Sequence, residues 1–325
     1  MKVALLCLVL GVISIAGGAP VSAEDNYPSR AVRVVVPFAP GGGVDITARA
    51  IGAKLSERFG QQFIVDNRAG AGGNVGTELV SRARPDGHTL LVTSSSYVIN
   101  PSLYTLAYDP IDGFAPITLV SQQPFIVALH PSVPAGNIRE FIALAKARPG
   151  ALSYASAGAG GTQHLSAELF KSMAGVDIVH IPYKGTGPAL NDVLAGQVQA
   201  TFGSILASLP HVKAGRLKAI AVTSVRRFEG APEIPTVDES GLAGYASASW
   251  YAALAPAKTP RTIITLLNRE MVIALQAPEV KGRLAAEGSM VVASTREYLA
   301  ARLKQDIAKW EKVIRQANLR LDASR

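Results

Sequence analysis

Two short glycine stretches have the composition and placement to do chemistry, Pro40-Gly41-Gly42-Gly43 and Gly158-Ala159-Gly160-Gly161. Each follows a strand-like run and precedes a helical pattern, so each is expected at the N-terminal end of a helix. There the first backbone N–H groups lack helical acceptors and the positive end of the helix dipole points outward. Such an end attracts anions without any lysine or arginine. Each contributes about 0.3–1 kcal/mol toward an anion, and up to ~2 kcal/mol when partly buried. Two of them facing across a cleft suit a small molecule with a carboxylate at each end. Glycine also lets the backbone approach a ligand closely and adopt positive φ. Alone, one such loop does no more than make a tight turn; two matching loops argue for binding.

Other candidates surround these loops. Ser156 and Thr162 add hydroxyls to the second, Thr93, Ser94 and Ser95 add three at the end of another strand, and Ser204 follows a further one. Asp45 at a helix start reads first as an N-cap, with ligand contact as an added role. His164 falls in a first helical turn, where it either meets a ligand or serves the structure. Phe38 and Tyr183 stand at loop entrances, placed to cover a ligand or to pack in the core.

Catalytic arrangements fit poorly. In a G-x-G-x-x-G fingerprint starting at Gly158 the third glycine is Gln163, and starting at Gly70 the glycine arrives one position late, at Gly76. A nucleophile elbow around Ser156 fails at Tyr154, where its first glycine belongs. Ser156 and His164 have no partner in the linear sequence. The histidines at 88, 130, 164, 180 and 211 are scattered and make no zinc pattern. No catalytic residue, metal or cofactor is therefore expected. The basic residues of 213–227 alternate with apolar ones and read as solvated surface, not as a nucleic-acid groove.

The elements that must position these residues form one unit used twice. Strand patterns at 32–38, 63–65 and 89–93 alternate with glycine loops and helical patterns at 45–59 and 77–83. The same order recurs with strands at 152–155, 178–181 and 199–202, helices at 164–173 and 189–195, and loops at 158–161 and 184–187. This is a doubled βαβαβ pattern, which right-handed crossovers make parallel. Ligands of such sheets bind beyond the carboxyl ends of the strands. The apolar runs 116–129 and 249–254 read as two strands crossing between lobes, a hinge for rigid-body closure. The 299–317 helical pattern then returns to the first lobe.

With 325 residues, 48% of them hydrophobic and 17% charged, the chain exceeds one ordinary core and falls outside the disordered range. Its net charge of +8 permits an anionic partner without requiring one. Lys2, the apolar run 3–16 and the small-residue site Val21-Ser22-Ala23 read as a signal peptide cleaved after Ala23. Gly17, Gly18 and Pro20 break the run before it could span a bilayer. Cleavage removes Cys7, the single cysteine. The expected organisation is signal peptide 1–23, a first lobe from 24–123 with 247–325, and a second lobe from 124–246.

The stretch Val36-Pro37-Phe38-Ala39-Pro40-Gly41-Gly42-Gly43-Val44-Asp45 resembles the PFxxGGxxD signature of the Bug-type, or TctC-like, extracytoplasmic solute receptors. The likeness continues through Asp66 to Gly73, Pro85 to Leu91, Tyr154 to Gly158, Gly161-Thr162-Gln163-His164, Pro182 to Gly185, Pro210 to Gly215, Pro232 to Thr236 and Trp250 to Pro256. The resemblance implies a type II periplasmic-binding-protein fold, α/β with two parallel-rich sheets joined by a two-strand hinge, closing on a small carboxylate. It implies that amides of the two glycine loops hold the carboxylate oxygens with ordered water, and that no enzyme activity is present. The implied partner is the membrane permease of a tripartite tricarboxylate transporter, two-component and ion-driven, served by a monomeric periplasmic receptor. A sensor subunit for carboxylate signalling is the alternative, and a secreted hydrolase a weaker one. Many members of the family carry an aspartate where this chain has Gly203, within Thr201-Phe202-Gly203-Ser204. Its absence points to a ligand without an ammonium group, an organic mono- or dicarboxylate, aromatic ones included.

Overall fold

The structure is a computed structural model and describes residues 27–183, 186–286, 288–317 and Leu319. The expected signal peptide, its cleavage position and the first half of the 184–187 loop lie outside the described residues. The first half of the chain runs β1 (Val32–Val36), α1 (Gly43–Phe59), β2 (Phe63–Asn67), α2 (Asn74–Ser81), β3 (Thr89–Ser94), α3 (Ser96–Ile99), β4 (Phe114–Leu129), α4 (Ile138–Ala147), β5 (Ser153–Ser156) and α5 (Thr162–Ala174). It continues as β6 (Val179–Pro182), α6 (Thr186–Leu194), β7 (Ala200–Ser204), α7 (Ile205–Lys213), β8 (Lys218–Val222) and β9 (Ala248–Pro256). The last elements are α8 (Arg261–Gln276), α9 (Pro278–Ala286), β10 (Met290–Val291) and α10 (Arg296–Gln316).

Each half builds its sheet from β-branched, apolar strands covered by amphipathic helices. Val32, Val34, Val35 and Val36 of β1 are buried, as are Ile51 and Leu55 of α1, while Arg49, Lys54, Glu57 and Arg58 of that helix face water. Gly60 ends α1 at φ 67°, a left-handed conformation that favours glycine. Strand order is β2-β1-β3-β9-β4-β7-β5-β6, with β8 and β10 also paired to β4. The pairs β1–β2, β1–β3, β5–β6 and β5–β7 are parallel, as the doubled pattern requires.

The crossing strands at the centre are antiparallel. β9 pairs antiparallel with both β3 and β4, and β4 pairs antiparallel with β7. These strands pass between lobes without a helical crossover, so nothing forces them parallel. The 16-residue β4 belongs to both sheets: it pairs with β9 up to Pro124 and with β7 from Phe125. Helices α4, α7, α8 and α9 lie where the pattern analysis assigns no element.

The C-terminal helix touches elements on both sides of the crossing strands. α10 packs on β4 and α3, but also on α5 of the second lobe, where Ser172 Oγ donates to Gln316 Oε1 at 2.7 Å. One apolar cluster accordingly unites Phe141, Phe170 and Phe202 with Trp250, Leu303 and Trp310. Burial of each such side chain is worth about 1.5–3 kcal/mol, so α10 is a brace common to both lobes.

Candidate functional site

The two glycine turns are built alike. Gly41 and Gly160 have φ of 84° and 74°, in the left-handed region. The next residues, Gly42 and Gly161, are the N-caps, both extended (φ −80°, ψ 165° and φ −73°, ψ 165°). The first intrahelical bonds are Ile46 N to Gly42 O and Leu165 N to Gly161 O, each 3.0 Å. The amides at 43–45 and 162–164 therefore precede any helical acceptor.

Asp45 and His164 occupy the same place, third in their helices. Gly41 N donates to Asp45 Oδ2 at 2.9 Å, and Gly160 N donates to His164 Nδ1 at 2.9 Å. This corrects the N-cap expectation for Asp45: Gly42 caps the helix, and the carboxylate reaches back to the preceding turn. Asn67 Nδ2 donates to Asp45 Oδ1 at 3.0 Å, and Arg49 contacts both oxygens at 3.0 Å. Burial works to raise the Asp45 pKa, but Arg49, the Gly41 amide and Asn67 outweigh it and hold the carboxyl below its ordinary value.

The second turn is tied by neutral groups. Ala157 N donates to Gln163 Oε1 at 2.9 Å, and Gly158 N to Ser156 Oγ at 3.3 Å. Ser156 Oγ lies 2.7 Å from His180 Nε2, a pair hidden in sequence because the residues sit on adjacent strands β5 and β6. Ser156, read in sequence as partnerless, is fully buried and engaged in this bond, so it is no exposed nucleophile. The His164 and His180 rings stack at 3.8 Å and 12°. Burial pushes both imidazoles down to about 4, and for His180 the neighbouring His164 adds to the effect.

These lowered values carry a sign. The unfolded chain takes up protons near the ordinary histidine pKa of ~6.5, before the folded chain does. Stability is therefore expected to decline as pH falls from ~6.5 toward 4, with no further histidine contribution below that. Urea midpoints at pH 7 and 5 check this, and His180→Gln should flatten the slope. Equal midpoints would mean the stacked rings do not titrate as the geometry requires.

A cavity of about 250 Å³ lies between the lobes. Gly43 lines it from the first lobe, Thr162, Ser204 and Leu206 from the second, and Gln123, Phe125, Ser249 and Tyr251 from the crossing strands and their flanks. Among the described residues lining it none is charged. Ser204 also caps α7, accepting from Ala207 N at 3.4 Å. A Cβ on Gly43 would stand 2.3 Å from the Tyr251 hydroxyl, so the phenol tip occupies space that any side chain at 43 would need.

Of the residues singled out in the sequence, Gly43, Thr162 and Ser204 line this cavity; the remaining candidates do not. Pro40, Gly41 and Gly42 form the exposed turn leading to Gly43, with Gly158, Gly160 and Gly161 their counterparts before Thr162. Thr93 and Ser95 are buried behind the wall, Ser95 Oγ lying 3.1 Å from Ser249 Oγ. Ser94 pairs in register with Tyr251, and its Oγ lies 3.0 Å from Ser96 Oγ. Phe38 faces Gly73, and Tyr183 donates its hydroxyl to Asp192 at 2.6 Å, which with burial pushes its pKa up to about 12. Sequence reasoning missed Gln123, Ser249 and Tyr251. Their signal was polar groups interrupting the two apolar crossing runs.

A family model described as Tripartite tricarboxylate transporter family receptor, TctC, matches residues 47–319. Protein BugT of Bordetella pertussis is 36% identical over 326 residues, covering 99% of this chain and 100% of that protein. The structure of R. palustris Rpa4515 with adipate is 36% identical with a TM-score of 0.72, covering 91% of this chain and 100% of the other. A ligand-free TctC solute binding protein from Polaromonas is 26% identical with a TM-score of 0.84, covering 89% and 99%.

Proposed function

The chain belongs to the TctC family of tripartite tricarboxylate transporter receptors, and from that premise we propose that it captures a small organic carboxylate between its lobes and delivers it to a membrane permease. The reading has the protein act in the periplasm as a monomer, after cleavage behind Ala23, without catalysing a reaction. One observation carries it: Gly43 and Thr162, the first helical residues after the two glycine turns, and both crossing strands line a single cavity with no charged side chain among the described residues. A carboxylate there would be held by amides at 43–45 and 162–164, with hydroxyls of Thr162, Ser204 and Tyr251 and the Gln123 amide completing the shell. Phe38, Pro40 to Gly42, Asp45, Thr93 to Ser95, Ser156, Gly158, Gly160, Gly161, His164 and Tyr183 then shape and support it. The lobe limits we adopt are 24–123 with 247–325, and 124–246; the change of β4 partner after Pro124 supports them.

Two further observations support the ligand class. The relative Rpa4515 holds adipate, a dicarboxylate, in its structure. Among the described residues lining the cavity there is no acid to balance an ammonium group, and a Cβ at Gly203 would crowd Thr201 Oγ1 at 2.7 Å.

Native mass spectrometry of the purified protein, followed by thermal shift with mono- and dicarboxylates and their α-amino analogues, tests the reading. A ligand at 100 times its Kd adds about 2.7 kcal/mol of stability, or roughly 5–10 °C in Tm for a chain of this size. Adipate or a related acid is expected to give such a shift and to shrink the radius of gyration in solution. An amino acid binding far more tightly than its deaminated analogue would overturn the ligand class.

A further inference from the structure

The two turns that face the cleft share a backbone but differ in the charge of the group that fixes them. In the first lobe the fixing acceptor is a carboxylate, Asp45, in the first turn of α1. Its negative charge lies beside the positive end of that helix and offsets part of its pull on an anion. Arg49, half exposed, answers that charge from the next turn. In the second lobe the fixing acceptor is an imidazole, and α5 has no acidic residue in its first turn. A backbone N–H can only donate, so His164 Nδ1 accepts from Gly160 and any ring proton sits on Nε2, 3.8 Å from Glu168 Oε1.

The surroundings keep this ring neutral. On its own helix it faces Glu168 and Lys171, which pair with each other at 2.9 Å. From β5, Tyr154 donates its hydroxyl to Glu168 at 2.8 Å, and from β6, His180 stacks on the ring. His164 is 3% exposed, and burial opposes its protonation.

We infer that His164 is a positioning residue that makes the α5 turn the dominant carboxylate pole of the cleft. It fixes Gly160 as Asp45 fixes Gly41, but without placing a negative charge at the helix end. The inference rests on the receptor reading above and specifies which of the two turns contributes more to holding a carboxylate: the α5 turn more than the α1 turn.

Two substitutions separate charge from geometry. His164→Asn keeps a neutral acceptor at a position where Asp45 shows that a short side chain reaches the turn. His164→Asp keeps the acceptor and adds the charge. Titration calorimetry with adipate as the probe is expected to find His164→Asn within about threefold of the wild type. His164→Asp should bind at least tenfold more weakly, as an order of magnitude for a carboxylate a few ångströms from another across a partly buried site. The aspartate variant should also lose affinity as pH rises through the titration of the new carboxyl, whereas the wild type stays flat above pH 6. A structural role alone would not produce that pH dependence. Circular dichroism and Tm establish that each variant is folded; if His164→Asp fails to fold, Gln163→Glu places a charge in the same turn and is expected to weaken adipate binding in the same pH-dependent way. Equal affinities for the charged and neutral variants, with wild-type binding intact, would overturn this inference and leave the receptor reading standing. A wild-type chain that binds none of the carboxylates would overturn both.

Discussion

Gly43→Ala is expected to weaken carboxylate binding by roughly 10- to 100-fold. The added Cβ would stand 2.3 Å from the Tyr251 hydroxyl and 3.2 Å from its ring carbon, a distance at which the phenol must move. Overpacking of this kind costs about 1–3 kcal/mol, and every 1.4 kcal/mol is about tenfold in affinity. The displaced group lines the cavity, so the cost falls on the ligand as well as on stability. Tyr251→Phe removes the closer atom and should rescue Gly43→Ala in part, giving a coupling energy in a double-mutant cycle. Gly42→Ala is the control: its nearest neighbour would be Ala39 O at 3.9 Å, and its φ of −80° suits any residue. Calorimetry and Tm on the four variants check the argument. Full affinity in Gly43→Ala would show that Tyr251 has room to yield.

The largest loss of stability is expected from Asp306→Ala. This carboxylate is 3% exposed and accepts from Trp250 Nε1 at 3.0 Å and Arg302 Nε at 2.8 Å, with Lys309 Nζ at 3.1 Å. Removing it leaves two partly buried cations without their carboxylate and a buried indole N–H unpaired, a loss of up to about 3–5 kcal/mol. At ~2–4 °C per kcal/mol the Tm should fall by about 10 °C. Burial acts to raise the Asp306 pKa, but Lys309 and Arg302 hold it below the ordinary value. Its contribution is thus present above the unfolded carboxyl pKa of ~4 and lost as pH falls through the folded one. A urea denaturation series that finds less than about 1 kcal/mol would show the cluster to be solvated after all.

Much of this organisation could be read from residue types because its causes are local. Glycine before a helical pattern marks a βα turn wherever it occurs, and Gly41 and Gly160 both adopt the positive φ that makes them glycine. The doubled βαβαβ unit follows from apolar periodicity alone. What escaped reading depends on partners distant in the chain. Tyr251 reaches Gly43 across more than 200 positions, and Ser156 meets His180 only because β5 and β6 lie side by side. Asp45 was legible as a helix-start acid but not as the third residue, because an extended Gly42 takes the cap without any side chain. Helix α7 breaks the usual pattern by carrying Pro210 inside it. α10 has a clear apolar stripe, yet nothing in the stripe says that its far end rests on α5.

That last contact has a mechanical consequence. Helix α5 meets the cavity at Thr162 and touches α10 through Ser172, ten residues or about 15 Å along its axis. Were α5 to tilt when the lobes close, a displacement at the mouth would be matched by slippage at the rear. A fluorophore pair attached beside Ser172 and Gln316 would sit away from the bound metabolite and still register its arrival, which makes the rear seam the natural place to build an optical indicator for carboxylates.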